Sequence, residues 1–376
     1  MPCEYENVDI NSDRKRCCTC DQCPQIVTAP TVPKLIPKST LGITVRVKIL
    51  IEKYKVQIPL NRVLSMLSDY GPVLAAGTII DGLQKLMPLF LPIYNAIQTK
   101  CLEDHHWHAD ESRWPVFQKT ENKTGYGGYL WVFISKQAVV FKIEPRRSSE
   151  VVKSFFGEKP EGILSVDRYA AYKPIAKDNI LVLAFCWAHV RRDFINHNKQ
   201  YPTLNSWTQG WLDDIGNLYH INNRRIQHET DSAEFSKYDK RLRNTIQGMQ
   251  EKYILELNNE QLHPKSKKLL TSLQNHWNGL TVFVDNPTIP MDNNTAERQL
   301  RTPVVGRKNY YGSGSVWSAA LTAMLFSILE TLKTLGINPH TWLTGYLQAC
   351  AEIGGKAPNN IDQFLPWNNV EKLDTS

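Results

Sequence analysis

The sequence predicts a mixed α/β fold, with a small helical domain ahead of it and an all-helical insertion within it. Three observations carry this. Short runs rich in aromatic and β-branched residues crowd positions 106–143. Two more apolar runs, Gly162–Asp167 and Ile180–Phe185, alternate with helical spacing. From about Pro202 to Gly279 the chain is polar, charged and helical in spacing, with no strand signal.

In chain order, residues 1–33 form a partial cysteine-rich segment leading into a Pro-rich linker, with Cys3, Cys17, Cys18, Cys20 and Cys23. Residues 34–102 read as a helical N-terminal domain, where Leu60, Val63, Leu64 and Leu67 recur on one helix face. Residues 103–200 hold the first part of the α/β core. His106 to Asp110 alternates as a strand ending in an acid, and Tyr129–Ile134 with Ala138–Ile143 forms a hairpin. Ser149–Gly157 is a short helix, and Gly162–Asp167 is a second strand ending in an acid. Residues 201–285 are the helical insertion. Residues 286–336 complete the core, with an apolar helix from Ala319 to Leu335 closed by Gly336 and Pro339. Residues 337–376 are a last helix and a tail.

At 376 residues the chain can bury more than one core. A net charge of +7 permits an anionic partner such as nucleic acid without demanding one. The apolar run Leu83–Ile97 is interrupted by Lys85, Pro88 and Pro92 and is too short to span a bilayer, so no membrane partner is expected. The start is polar and acidic, unlike a signal peptide, and the eight cysteines follow no regular disulfide framework. A reducing, cytoplasmic setting is expected.

The most informative stretch is Met291-Asp-Asn-Asn-Thr-Ala-Glu-Arg-Gln-Leu-Arg301, running on to Gly314. One carboxylate, Glu297, is followed by Arg298, Arg301, Arg307 and Lys308, with no acid before Tyr311. A carboxylate working beside phosphate commonly holds a metal ion, and Asp110 and Asp167 supply two more at predicted strand ends. Three carboxylates could hold two hard divalent ions and so serve phosphodiester chemistry. Each acid also has a plainer reading. Asp at a strand end is usually a turn residue. Asn294 with Glu297 fits a helix capping box, with Arg301 placed for a surface ion pair, and by spacing alone that reading is the stronger. Glu111 rivals Asp110, but alternation sends it to the opposite face of the strand.

Cys186-Trp-Ala-His189 is a weak zinc signal, because a structural site needs four ligands. A buried Cys with a hydrogen-bonded His explains it as well. Arg191 and Arg192 suit phosphate contacts or a solvated helix face. Cys20 and Cys23 offer an incomplete zinc site, and an unliganded thiol cluster is the favoured reading there. His106 and His108 share a strand face with Asp110, and core or surface histidines account for them.

Together these segments resemble the transposases of the insertion-sequence-66 family, from about Cys20 to Trp367. The carriers are His108-Ala-Asp-Glu-Ser-Arg-Trp114, Val166-Asp-Arg-Tyr-Ala-Ala-Tyr172, Cys186-Trp-Ala-His-Val-Arg-Arg192, Asp292-Asn-Asn-Thr-Ala-Glu-Arg298 and Gly306-Arg-Lys-Asn309. Five modest motifs in order are together specific. The resemblance implies an RNase-H-like catalytic core with a DDE triad on Asp110, Asp167 and Glu297, using two Mg²⁺ or Mn²⁺ ions. It implies DNA as partner, both element ends and target, with a homo-oligomer on paired ends and accessory proteins of the same element. It places Cys186 and His189 near the active site. Arg191, Arg192, Arg298, Arg301, Arg307 and Lys308 become candidates for DNA contact. Two departures stand out. Ser112 occupies a position where the family typically has Thr. Only Cys20 and Cys23 match the second half of the family's N-terminal zinc finger, so the chain reads as N-terminally shortened. A truncated remnant that binds DNA without transposing, and a nuclease of the same fold, are the alternative functions.

Overall fold

The computed structural model describes residues 32–118, 127–157, 160–176 and 181–368, together with three short strands ahead of them. Those strands, β1 (Tyr5–Asp9), β2 (Arg14–Cys17) and β3 (Ile26–Thr28), pair antiparallel in that order. Cys20 and Cys23 lie outside the described residues, and so does the zinc reading that rests on them.

Helix α1 (Ile43–Leu50) runs into a π-helical turn at Ile51–Lys55, and α2 (Leu60–Ser68) buries Val63 and Leu67 as the spacing predicts. Helix α3 (Ala76–Leu102) is continuous through Pro88 and Pro92. Its inner face, including Phe90, Ile93 and Ile97, is buried in the same core as the central sheet.

The sheet comprises β4 (His106–Arg113), β5 (Tyr129–Ile134), β6 (Val139–Glu144), β7 (Gly162–Val166) and β8 (Leu181–Phe185), with α4 (Ser149–Phe156) between β6 and β7. Its order is β6-β5-β4-β7-β8. The β6-β5-β4 half is antiparallel, and β4, β7 and β8 run parallel. Both faces are covered. On one side Phe155 stacks on Phe133 with ring centroids 4.0 Å apart. On the other, Phe326 of α12 (Val316–Thr334) meets Phe141 edge to face. The outer edge of β6 is closed by side chains rather than by another strand. The Val139 and Phe141 amides donate to Thr331 Oγ1 (3.0 Å) and Ser327 Oγ (2.8 Å), two hydroxyls one turn apart on α12. Among the described residues α12 is the one helix long and apolar enough to cross a membrane, and it is largely buried against the sheet.

A second core lies beyond β8. Helices α5 (Trp187–Gln200), α6 (Asn205–Arg225), α7 (Ala233–Leu257), α8 (Pro264–Asn275), α9 (Trp277–Leu280) and α10 (Val282–Asp285) surround Trp211, Leu218, Leu242 and Leu270. Arg225 is fully buried there, bonded to Asp239 at 2.7 Å and to the carbonyls of Phe283 and Val284. A buried guanidinium tolerates such a place only when its charge is paired, and here both terminal nitrogens are bonded while Nε has no partner. Helix α5 turns Trp187, Val190 and Phe194 into this core, so the α6–α10 bundle braces it. The chain returns through α11 (Asn294–Tyr310), which lies against β4 and β5, then α12 and α13 (Pro339–Glu352).

Candidate active site

The three acids come from elements that meet at one end of the parallel ladder. Asp110 is not the last residue of its strand, because pairing with β5 continues to Arg113. Pairing with β7 stops at His108, however, so on that side Asp110 stands just past the ladder. Asp167 follows β7 directly and turns the chain, its Oδ1 accepting the Tyr169 amide at 2.9 Å. Loops at this end of parallel strands are free to present polar groups.

Glu297 lies in the first turn of α11, but not in a capping box. The N-cap is Asn293, one residue earlier than the spacing predicts, and Asp292 Oδ1 accepts the Asn294 amide at 3.0 Å. Asn293 is drawn inward by a different demand. It is 1 % exposed, its Nδ2 donates to Ala109 O at 2.7 Å, and its Oδ1 lies 2.9 Å from His108 Nδ1. Since Nδ2 is already a donor, Oδ1 must accept, which makes Nδ1 the protonated nitrogen of His108. The Asn293 amide meets Cys186 Sγ at 3.2 Å, and the Trp187 amide donates to Met291 O at 2.9 Å. The first turns of α5 and α11 are thereby pinned to each other and to β4. Nor does Glu297 pair with Arg301. Its carboxylate lies 3.6 Å from His189 Nε2 and 3.8 Å from Arg192.

The electrostatics are unbalanced in favour of a cation. Burial, then the neighbouring carboxylates Glu111, Asp167 and Glu297, push the Asp110 carboxyl up to about 7. Glu111 points to the other face, as alternation predicts. It accepts from Arg147 Nε at 2.7 Å and from the Tyr172 hydroxyl. Arg147 in turn lies 3.6 Å over the Tyr169 ring, so a network runs beneath the Asp167 turn. Arg168 bonds Ser272 at 3.2 Å and Asp193, tying that turn to α8 and α5. Burial raises the Cys186 thiol and lowers His108.

Among the described residues, the tight grouping of metal-capable side chains is Cys186, His189 and Glu297, whose ligand atoms lie within 4.8 Å of one another. Asp110 and Asp167 stand farther off, close enough for their charges to couple. Of the predicted cations, Arg191, Arg192, Arg298, Arg301 and Lys308 are exposed. Arg307 is half-buried and turned inward, donating to Ser112 Oγ at 3.1 Å and to Arg113 O. The Gly312–Ser315 turn is likewise engaged, since Ser313 is buried and exchanges backbone bonds with Pro115 and Phe117. Sequence reasoning passed over Asn293, Tyr172, Arg147 and Arg168. Three of them stood inside the quoted motifs, while Arg147 carried no signal.

A model of transposases matches residues 38–321 of the chain, which is most of its length. The chain belongs to the IS66 transposase family. Similar curated proteins include y4jD of Sinorhizobium fredii, 25% identical over 94% of this chain and 71% of its own length. Another is y4hP of the same organism, 24% identical over 93% of this chain and 66% of its own length. Both carry the description of uncharacterized proteins.

Proposed function

We propose that the chain is a DDE-type DNA transposase with an RNase-H-like core, in which Asp110, Asp167 and Glu297 form the catalytic triad. One observation carries this reading. Acids 57 and 130 residues apart in sequence converge where the β4–β7 ladder ends, and burial together with its neighbours' charge pushes the carboxyl of the innermost up to about 7. The sheet order, antiparallel through β6, β5 and β4 and parallel through β7 and β8, supports the core assignment.

The donor set fits hard divalent ions, since the three acids offer oxygen ligands and, among the described residues, Asp110 has no ion-pair partner. Bound Mg²⁺ or Mn²⁺ would supply Lewis acidity to a phosphodiester. The chain's own residues supply the rest. Asn293 fixes the height of α11 against β4, and with it the approach of Glu297 to Asp110. The Arg147–Glu111–Tyr172 network holds the Asp167 turn. The first turns of α5 and α11 both open at the site, and helix N-termini favour phosphate oxygens. Arg191, Arg298, Arg301 and Lys308 offer exposed positive charge for the flanking backbone, a sequence-independent and salt-sensitive affinity. The substrates of this reading are element ends and target DNA, handled by an oligomer on paired ends.

The test is strand cleavage by purified protein with Mg²⁺ or Mn²⁺ on DNA carrying the element ends. Cleavage should vanish in Asp110→Asn, Asp167→Asn and Glu297→Gln while DNA binding persists. Cleavage that survives Glu297→Gln sinks the triad. Cleavage without joined products would make the protein a nuclease of the same fold.

A further inference from the structure

Glu297 has two sets of neighbours. One is the pair of acids Asp110 and Asp167. The other is Cys186 and His189 at the start of α5, and the side chain lies on that side. His189 Nε2 is 3.6 Å from Glu297 Oε1, too long for a hydrogen bond and near the edge of a tetrahedron with bonds of about 2.0–2.1 Å, roughly 3.4 Å. Cys186 Sγ completes a group within 4.8 Å. One atom of this group, Glu297 Oε1, is buried with no hydrogen-bond partner, and so is His189 Nδ1 on the far side of the ring from Nε2. Buried polar atoms are almost always satisfied, so an orphan carboxylate oxygen facing the imidazole Nε2 marks a missing ligand. The scaffold is stiff. Cys186 and His189 occupy the N-cap and third positions of α5, and the Asn293 amide is already directed at the sulfur.

We infer that Cys186, His189 and Glu297 form a binding site for a thiophilic divalent cation of the Zn²⁺ class, distinct from the oxygen-only site of the triad. A soft thiolate, a borderline imidazole and a hard carboxylate make a mixed set of the kind zinc takes, and the sulfur and nitrogen disfavour magnesium. Three protein ligands leave one coordination position open for water or a phosphate oxygen. Binding releases the Cys186 thiol proton to solvent. The consequence rests on the triad reading: an ion in this site holds Glu297 on the α5 side and withholds it from Asp110 and Asp167. Zinc-class ions then act against the Mg²⁺-dependent reaction through the acid the two sites share.

The probe is Co²⁺, added to the metal-free full chain without DNA. Cys3, Cys17, Cys18, Cys20 and Cys23 are all changed to Ser so that N-terminal thiols add nothing. One equivalent of Co²⁺ should give a thiolate-to-cobalt absorption band and tetrahedral d–d bands that Zn²⁺ removes and millimolar Mg²⁺ does not. Cys186→Ser should abolish the thiolate band. His189→Asn and Glu297→Gln should each weaken binding by about tenfold or more, and Asp110→Asn should leave it intact. Near-UV circular dichroism of each variant separates lost ligation from lost folding. Absence of a Cys186-dependent band overturns the site, as does an affinity indifferent to Glu297→Gln. Since Asp110→Asn abolishes cleavage on the triad reading yet spares Co²⁺ binding here, failure of one reading is visible apart from failure of the other.

Discussion

Replacing Asp110 with Asn should make the metal-free protein more stable at alkaline pH. In the unfolded chain this carboxyl ionises near the usual 3.8, whereas in the fold burial and three neighbouring acids raise it to about 7. A carboxyl whose folded value is raised holds its proton better in the native state. Its contribution is therefore fully present below pH 3.8 and is lost as pH rises through about 7. At about 1.4 kcal/mol per tenfold, the displacement sets a ceiling of about 4 kcal/mol on the cost of ionising Asp110 in place. Roughly half of that is realised if the site relaxes or admits water. Asn keeps the shape and cannot ionise. Urea unfolding in EDTA should therefore show the variant about 2–4 kcal/mol more stable than wild type at pH 8, with a smaller gap at pH 5. Adding Mg²⁺ at pH 8 should stabilise the wild type and leave the variant nearly unmoved. A variant no more stable than wild type at pH 8, or a gap identical at the two pH values, would refute the claim that burial and the neighbouring carboxylates raise Asp110.

Asn293→Ala strips two buried hydrogen bonds and leaves Ala109 O and His108 Nδ1 without partners, so it should cost about 2–4 kcal/mol in urea unfolding. It should also lower cleavage more than it lowers DNA affinity. Ser327→Ala leaves the Phe141 amide buried and unpaired at the edge of β6, and chemical denaturation should register a loss of about 1–3 kcal/mol with no change in DNA binding. For Arg298→Ala and Arg301→Ala, the slope of log affinity against log salt should fall by about one for each side chain that meets a phosphate. An unchanged slope would remove that residue from the DNA-facing surface.

The fold was legible where pattern and burial obey one local period. The Val63 and Leu67 face of α2, the β5–β6 hairpin and the apolar α12 follow directly from spacing. The opposite facing of Asp110 and Glu111 followed from strand alternation alone. What spacing could not reach were choices settled by partners far along the chain. Asn294 and Glu297 fit a capping box, yet the N-cap is Asn293, whose side chain is claimed by His108 and Ala109, more than 180 residues upstream. Arg307 sits in a basic run that reads as surface, yet the Arg113 carbonyl draws it inward. A lone C-x-x-H could not be weighed as a metal site because the carboxylate grouped with it in space, Glu297, lies on α11, over a hundred residues later. In each case the local pattern supplied the residues and tertiary contact decided what they meet. The helical bundle beyond β8 matters for the same reason. Its core holds Trp187, Val190 and Phe194, which set the position of α5 and hence of His189 and Arg192 against Glu297. A segment that carries none of the acids thus helps decide which neighbours the third acid meets.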